Sequence, residues 1–145
     1  MKIIAIRIAG RVGVRHDLEK TLDVMRLKKK HVAVIIDSDR PESEGLIHKT
    51  IHSIAYGELD DETAKLLIEK RGRMEGDKPV DSKKIAEFMN DVIKGKKSMG
   101  EIGIKPFFRL NPPKGGFKRS IKLMVPRGVL GNHGKKINDL VKRMI

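Results

Sequence analysis

Apolar residues in the first half of the chain follow two alternating patterns. Residues 2–9 (KIIAIRIA) and 31–37 (HVAVIID) are continuous apolar runs rich in Ile and Val, which predict two buried strands. Residues 18–25 and 46–54 instead place apolar side chains at helical spacing. The pattern therefore predicts strand, helix, strand, helix, and it excludes an all-helical DNA-binding bundle.

The second half begins with helical patterns and ends with another. Two further capped helices fall within residues 56–104, which we interpret as a helical insertion beside the sheet. Residues 105–110 predict a third strand, and at least one of the neighbouring rings Phe107 and Phe108 should face the core. Residues 135–145 have the spacing of a terminal helix.

Charge is distributed unevenly along the chain. The 145 residues carry a formal charge of +13, and residues 101–145, with eleven basic and two acidic side chains, carry +9 of it. Residues 111–134 contain no acid and are rich in Pro and Gly. Such a segment has few apolar residues for a core of its own, but it can lay cations along a phosphate surface. We therefore expect a basic arm that is disordered until it meets a polyanion.

Motifs for catalysis or metal binding are nearly absent from the sequence. There is no Cys, no glycine-rich phosphate loop and no apolar run long enough to span a membrane. His48 and His52 have metal-compatible spacing but no evident third ligand. Asp37 and Asp39 leave an RNA-processing enzyme open as a rival, although loop capping fits them better. We expect a soluble cytoplasmic protein without enzymatic activity, cofactor, metal or membrane partner, and a nucleic acid as the anionic partner.

The candidate RNA contacts are basic side chains in three groups. The turn after the first strand is expected to expose Arg7, Arg11 and Arg15 together, so that the folded core docks through them. The arm contributes Lys114, Lys118, Arg119, Lys122 and Arg127. Further candidates are Arg26, Lys28, Arg71, Arg73, Arg109 and His133, with helix-end charge complementarity as the alternative role for the Lys28 region. Aromatic residues are only 3% of the chain, which favours recognition of phosphate, sugar and RNA shape over stacked bases.

Four stretches, in this order, resemble the archaeal-type form of the large-subunit ribosomal protein L-thirty family, called L-seven in eukaryotes. They are IRIAGRV at 6–12 with the helix at 17–27, YGEL at 56–59 with LIEKRGR at 67–73, FRLNPPKGGF at 108–117, and GNHG at 131–134 with the helix at 137–144. The resemblance covers nearly the whole chain. It is the ordered set of stretches, more than any single one, that is specific.

The resemblance implies an α+β fold with a β-α-β-α-β core and a small three-stranded antiparallel sheet related to the ferredoxin-like arrangement. Residues 1–145 would form one domain. Its core would be residues 1–55 and 105–111, its helical insertion 56–104, and its extension the basic arm and terminal helix at 112–145.

The same resemblance implies that the protein binds large-subunit rRNA, lies near 5S rRNA in archaea and contacts neighbouring large-subunit proteins. It also implies no catalytic activity and no cofactor. We expect the isolated protein to be a monomer. The alternative hypothesis is a free-standing regulator that binds RNA or DNA.

Overall fold

The computed structural model describes residues 2–145, which form one mixed sheet with helices on both faces. The strands are β1 Lys2–Arg7, β2 Val32–Asp37, β3 Ile54–Glu58, β4 Phe108–Arg109, β5 Ser120–Met124 and β6 Gly128–Asn132. The helices are α1 His16–Val24, α2 Pro41–Thr50, α3 Asp61–Arg71, α4 Ser82–Glu87 and α5 Ile137–Met144, with short helical turns at Glu75–Asp77, Phe88–Val92 and Gly134–Lys136. The strand order across the sheet is β4-β2-β1-β3-β6-β5.

Strand β1 lies inside the sheet and is covered on both faces. It pairs antiparallel with β2 and β3, so that Ala5 lies opposite Val34 on one side and Tyr56 on the other. Because side chains alternate along a strand, Ile4 and Ile6 enter one hydrophobic cluster and Ala5 the other. Burial on both faces explains why β1 has a continuous apolar run.

Each face of the sheet has its own helical layer. Helices α1 and α2 cover one face, where Leu22 and Ile47 are buried. Helices α3 to α5 cover the other, where Leu67, Phe88 and Val141 are buried. The result is three layers, helix, sheet and helix, with two cores separated by the sheet.

The structure confirms the first four predicted elements and corrects the third strand. The strand that completes the antiparallel trio is β3 at Ile54–Glu58, whereas the predicted strand at 105–110 supplies only the two-residue β4 at the sheet edge. Ile54 was assigned to the stripe of the second helix, but α2 ends at Thr50 and a turn separates the two. The predicted three-stranded sheet is also wrong, since the sheet has six strands. The division into core, insertion and extension stays a prediction.

The C-terminal segment is more ordered than its composition predicted. Strand β6 joins the sheet parallel to β3, with Ala55 opposite Gly131, and β5 pairs with β6 through an irregular register. The expectation of an arm without structure of its own is therefore wrong, because Val129 and Leu130 supply a buried strand.

Helix α5 packs on β3 and α3 through four apolar side chains that are at most 8% exposed: Ile137, Leu140, Val141 and Met144. The buried Asn138 fastens it to the end of β3, because its Nδ2 donates to the Glu58 carbonyl at 2.9 Å and its Oδ1 accepts from the Asp60 amide at 3.1 Å. In the part of the chain that the structure describes, no helix is long and apolar enough to cross a membrane.

Candidate nucleic-acid interface

Two open grooves meet at strand β4. The first, of about 430 Å³, lies between the end of α1 and β4, and the second, of about 200 Å³, lies between β4 and the end of α3. Phe107 and Arg109 line both, so we treat them as one surface, the β4 groove. Its other lining residues are Asp23, Val24, Arg26, Lys28, Lys29 and Val32 in the first part, and Arg71, Arg73, Asp77 and Lys105 in the second.

Side chains alternate along β4 and the residue before it, which places the Phe108 ring inside and the Phe107 ring at the surface. Phe108 is fully buried, whereas its neighbours Phe107 and Arg109 face the groove, half-buried and exposed respectively. The expectation that one of the two rings enters the core is confirmed. The guanidinium carbon of Arg109 lies 5.7 Å from the Phe107 ring centroid, within the range of a cation–π contact.

The backbone positions cations on both walls of the groove, by its conformation on one wall and by its hydrogen-bond acceptors on the other. Arg26 follows α1 with a φ of 63°, in the left-handed region, and its exposed side chain lines the first wall. On the second wall, Arg71 donates to the Ile145 carbonyl at 2.7 and 3.2 Å and Arg73 donates to the Gly72 carbonyl at 3.0 Å. These bonds orient the two guanidinium groups.

One carboxylate of the groove is already neutralised. Asp77 accepts a hydrogen bond from the Lys105 ammonium, and this bond holds the pKa of Asp77 below its usual value. The other cations of the groove therefore decide the sign of its potential. Five of them were predicted as RNA contacts from separate parts of the sequence, and the structure brings them together: Arg26, Lys28, Arg71, Arg73 and Arg109.

The N-terminal turn, residues 7–15, was predicted to expose three cations, but the structure buries one of them. Arg7 is fully buried and donates to the carbonyls of Leu27 at 2.6 Å, Ala9 at 3.0 Å and Gly10 at 3.3 Å. Burial, followed by repulsion from Arg11, lowers the pKa of Arg7 from its ordinary value. The predicted exposure of Arg7 is therefore wrong, because its guanidinium satisfies backbone carbonyls inside the fold.

The other two cations of the N-terminal turn are exposed, but each faces a carboxylate. Arg11 pairs with Glu19 at 3.0 Å, and Arg15 pairs with Asp17 at 3.4 Å. Both pairs lie largely in solvent, so each carboxylate screens part of the charge that its arginine presents to an outside anion. Their contact with RNA stays a prediction.

Residues 114–132 form a second cationic surface, which we call the basic ribbon. Its predicted contacts are all exposed, and within residues 2–145 none of them pairs with a carboxylate: Lys114, Lys118, Arg119, Lys122 and Arg127. Ile121 and Leu123 of β5 are also exposed, by 41% and 50%. The ribbon therefore presents cations that form no ion pair with a carboxylate in the part of the chain that the structure describes.

The base of the ribbon is attached to the body at two points. The Arg143 guanidinium donates to the carbonyls of Lys114, at 3.2 Å, and Gly116. The Phe117 ring stacks on His31 with centroids 6.0 Å apart. The position of the ribbon is thus set by the fold.

His133 has partners within the chain. Its amide donates to the Tyr56 carbonyl at 2.8 Å, and its Nε2 is hydrogen-bonded to the Val129 carbonyl. These bonds close the end of β6 on β3, which gives the residue a structural role. Its contact with RNA stays a prediction.

Sequence reasoning did not include Lys105 or Phe107 among the candidate RNA contacts, and it considered Lys29 only as part of the Lys28 region. The aromatic pair beside an arginine was visible in the sequence, but only the fold shows which ring lies outside and which helix ends face it. Among the described residues, no group of three His, Asp or Glu side chains is placed to hold a metal ion.

Comparison with known proteins identifies similar chains along almost the whole length. Residues 3–54 match the family model described as Ribosomal protein L30p/L7e. A curated protein of Nanoarchaeum equitans named large ribosomal subunit protein uL30 is 41% identical over all of both chains. Proteins of the same name from Staphylothermus marinus and Methanopyrus kandleri are 39% and 37% identical, covering 97% and 94% of this chain and 96% and 99% of their own.

Proposed function

Since this chain belongs to the Ribosomal protein L30p/L7e family, we propose that it is a structural constituent of the large ribosomal subunit that binds and stabilises large-subunit rRNA. Members of this family are structural components of the ribosome, which confirms the expectation that the protein is not an enzyme. In this role the protein supports subunit assembly and translation. We propose the cytoplasmic ribosome as its location.

The observation that carries the proposal is the set of cations that outnumber the carboxylates beside them. They lie in the β4 groove and on the basic ribbon, whose strands β4 and β5 are at opposite ends of the sheet order. A phosphate backbone supplies the anions that both surfaces need. Two such surfaces on one rigid body can hold two RNA segments at a fixed separation, which is how a small protein stabilises a folded RNA.

Salt dependence of RNA binding tests the proposal. Each phosphate that a Lys or Arg neutralises releases condensed counterions, so affinity falls steeply as salt rises. With roughly six phosphate contacts, the plot of log K against log salt should have a slope of about −5. Filter binding of the full chain to large-subunit rRNA measures it, and binding that does not weaken with salt would contradict the proposal.

Sedimentation separates this function from that of a free-standing regulator. In a sucrose gradient of cell extract, we expect the protein to migrate with large subunits, and to leave them when the salt is raised. A regulator would stay near the top of the gradient at every salt concentration.

The proposed neighbours are 5S rRNA and adjacent large-subunit proteins, with a monomer as the form outside the ribosome. Support for an RNA neighbour comes from the basic ribbon, whose five exposed candidate cations have no carboxylate partner among residues 2–145. Crosslinking of the intact subunit from Arg119, mapped to nucleotides, tests which RNA lies against the ribbon. Sedimentation equilibrium of the isolated chain tests the monomer.

A further inference from the structure

We propose that the β4 groove holds an unstacked RNA base against the Phe107 ring, with the flanking phosphates on the cations of its two walls. This inference rests on the proposed function and adds a specific ligand class, a nucleotide in a bulge, loop or single strand. Such a site extends recognition beyond the phosphate backbone.

Apolar side chains line the groove beside its charged ones. Phe107 presents its ring there beside Val24, which is 72% exposed on the last turn of α1, and Val32. A flat apolar ligand that covers the ring and the exposed valine removes apolar surface from water, which favours its binding. The face of a nucleobase has this shape, and its stacking on an aromatic side chain is favourable for every base.

Arg109 supplies a second planar group at the same place. Its guanidinium carbon lies 5.7 Å from the Phe107 centroid, and the side chain is exposed, so it can swing over a base that lies on the ring. A guanidinium plane stacks on bases as aromatic rings do, and it adds a positive charge. Phe107 and Arg109 thus form two sides of a slot.

The cations are placed where the sugar–phosphate chain of such a nucleotide would run. Arg26, Lys28 and Lys29 flank the ring on the α1 side, and Arg71 and Arg73 flank it on the α3 side. A chain that crosses the groove therefore meets positive charge before and after the base. Asp23, which also lines the α1 side, disfavours a phosphate close to it, so the phosphates are favoured beside the cations.

A regular RNA helix does not fit this arrangement. Its bases are stacked on one another, and the narrow major groove of A-form RNA excludes side chains. Phe107 can reach a base face only where the nucleotide has left the stack. The groove therefore selects single-stranded or bulged RNA, whereas the basic ribbon needs only phosphates.

The test compares two RNA hairpins with the full-length protein. One carries a bulge of unpaired adenosines with 2-aminopurine at its centre, and the other is the same hairpin without the bulge. The variants are Phe107→Leu, which removes the ring but keeps apolar volume, and Phe107→Tyr, which keeps the ring. Phe117→Leu is the matched control for loss of a ring at the base of the ribbon: it can lower affinity for both hairpins, but it leaves the groove that distinguishes them unchanged.

We expect the wild type to prefer the bulged hairpin and to change the 2-aminopurine fluorescence on binding. Phe107→Leu should lower affinity for the bulged hairpin about tenfold, while Phe107→Tyr stays within about twofold and Phe117→Leu keeps the preference. Circular dichroism shows that each variant is folded.

Two results would overturn the base site. If the wild type binds both hairpins equally, or if Phe107→Leu keeps the preference for the bulge, there is no base on the ring, although rRNA binding through phosphates stands. If the wild type binds neither hairpin nor rRNA, the proposed function fails as well.

Discussion

The N-terminal turn and the basic ribbon are both rich in cations, yet they differ in how much charge they offer to a partner. In the turn, Arg7 is buried among carbonyl groups, and Arg11 and Arg15 each face a carboxylate. In the ribbon, five exposed cations have no carboxylate partner in the described part of the chain. The number of basic residues in a segment therefore does not measure the charge that it can offer to a binding partner. That charge depends on which of the residues the fold buries or pairs with carboxylates.

The largest expected effect follows from replacing Arg7. The variant Arg7→Met removes the donors of three backbone carbonyl groups, one of which is bonded in the interior at 2.6 Å. We expect the free energy of unfolding to fall by about 3 kcal/mol, since buried acceptors lose their donors. Urea denaturation measures the loss.

RNA affinity of the folded Arg7→Met protein should stay unchanged, because the side chain does not reach the surface. If the variant is as stable as the wild type and loses RNA affinity, Arg7 belongs with the exposed cations. That result would contradict the difference between the N-terminal turn and the basic ribbon.

The second effect concerns the geometry of the ribbon. A Cβ added to Gly128 would overlap the Leu123 carbonyl and lie 2.7 Å from the Ser120 carbonyl oxygen, so β5 and β6 would have to separate. We expect Gly128→Ala to cost about 1–2 kcal/mol of stability and to weaken rRNA binding, because the ribbon cations are displaced. Urea denaturation and filter binding measure the two losses.

Gly100→Ala is the control for this variant, since nothing lies within 4 Å of its added Cβ. It should keep both stability and affinity. An affinity as high in Gly128→Ala as in this control would show that the ribbon needs no fixed shape.

A matched pair of double variants tests directly whether the basic ribbon contributes more phosphate contacts than the N-terminal turn. We expect Arg119→Gln with Arg127→Gln to make the slope of log K against log salt shallower by about 1.5, because two phosphate contacts are lost. Arg11→Gln with Arg15→Gln should change it by less than about 0.5, since these guanidinium groups already face Glu19 and Asp17. Equal changes in the two double variants would contradict the distinction drawn between the two surfaces.

The smallest effect is a dependence of stability on pH through His31, which holds Phe117 at the base of the ribbon. Burial, followed by repulsion from Lys30, lowers the pKa of His31 from its ordinary value. The unfolded chain then binds the proton more readily than the folded one, so stability falls as pH drops through that ordinary value, and the effect vanishes above it.

The variant His31→Gln should show a weaker decrease in urea midpoint between about pH 7.5 and about pH 5.5 than the wild type. Because the two proteins differ only at this position, the difference between their profiles reports His31. Identical pH profiles would contradict its contribution.

Much of the fold could be predicted because its signals are local. The apolar runs of β1 and β2 and the stripes of α1 and α2 arise within short windows, and the structure has all four. Strand β3 was misassigned because Tyr56-Gly57-Glu58 mixes polar residues and glycine, and only pairing with β1 and β6 makes it a strand.

Strands β5 and β6 were missed for a related reason. The alternation in SIKLM, at residues 120–124, is short and is surrounded by Pro, Gly and Lys, so charge dominated its interpretation. The β4 groove could not be predicted as a unit, since Arg26, Arg71 and Arg109 meet only through the ends of three separate elements. The burial of Arg7 depends on the carbonyl of Leu27, twenty residues away.

The parallel pairing of β3 with β6, together with the packing of α5 on β3, has a consequence for biosynthesis. A nascent chain can complete β1 to β3, α1 and α2 early, but the layer over the opposite face of the sheet needs residues 128–144, which are synthesised much later. Until they leave the exit tunnel, Ile4 and Ile6 lack part of their cover, and an apolar surface with a bare strand edge faces the cytosol. Chaperone protection during translation should therefore be concentrated on this interval.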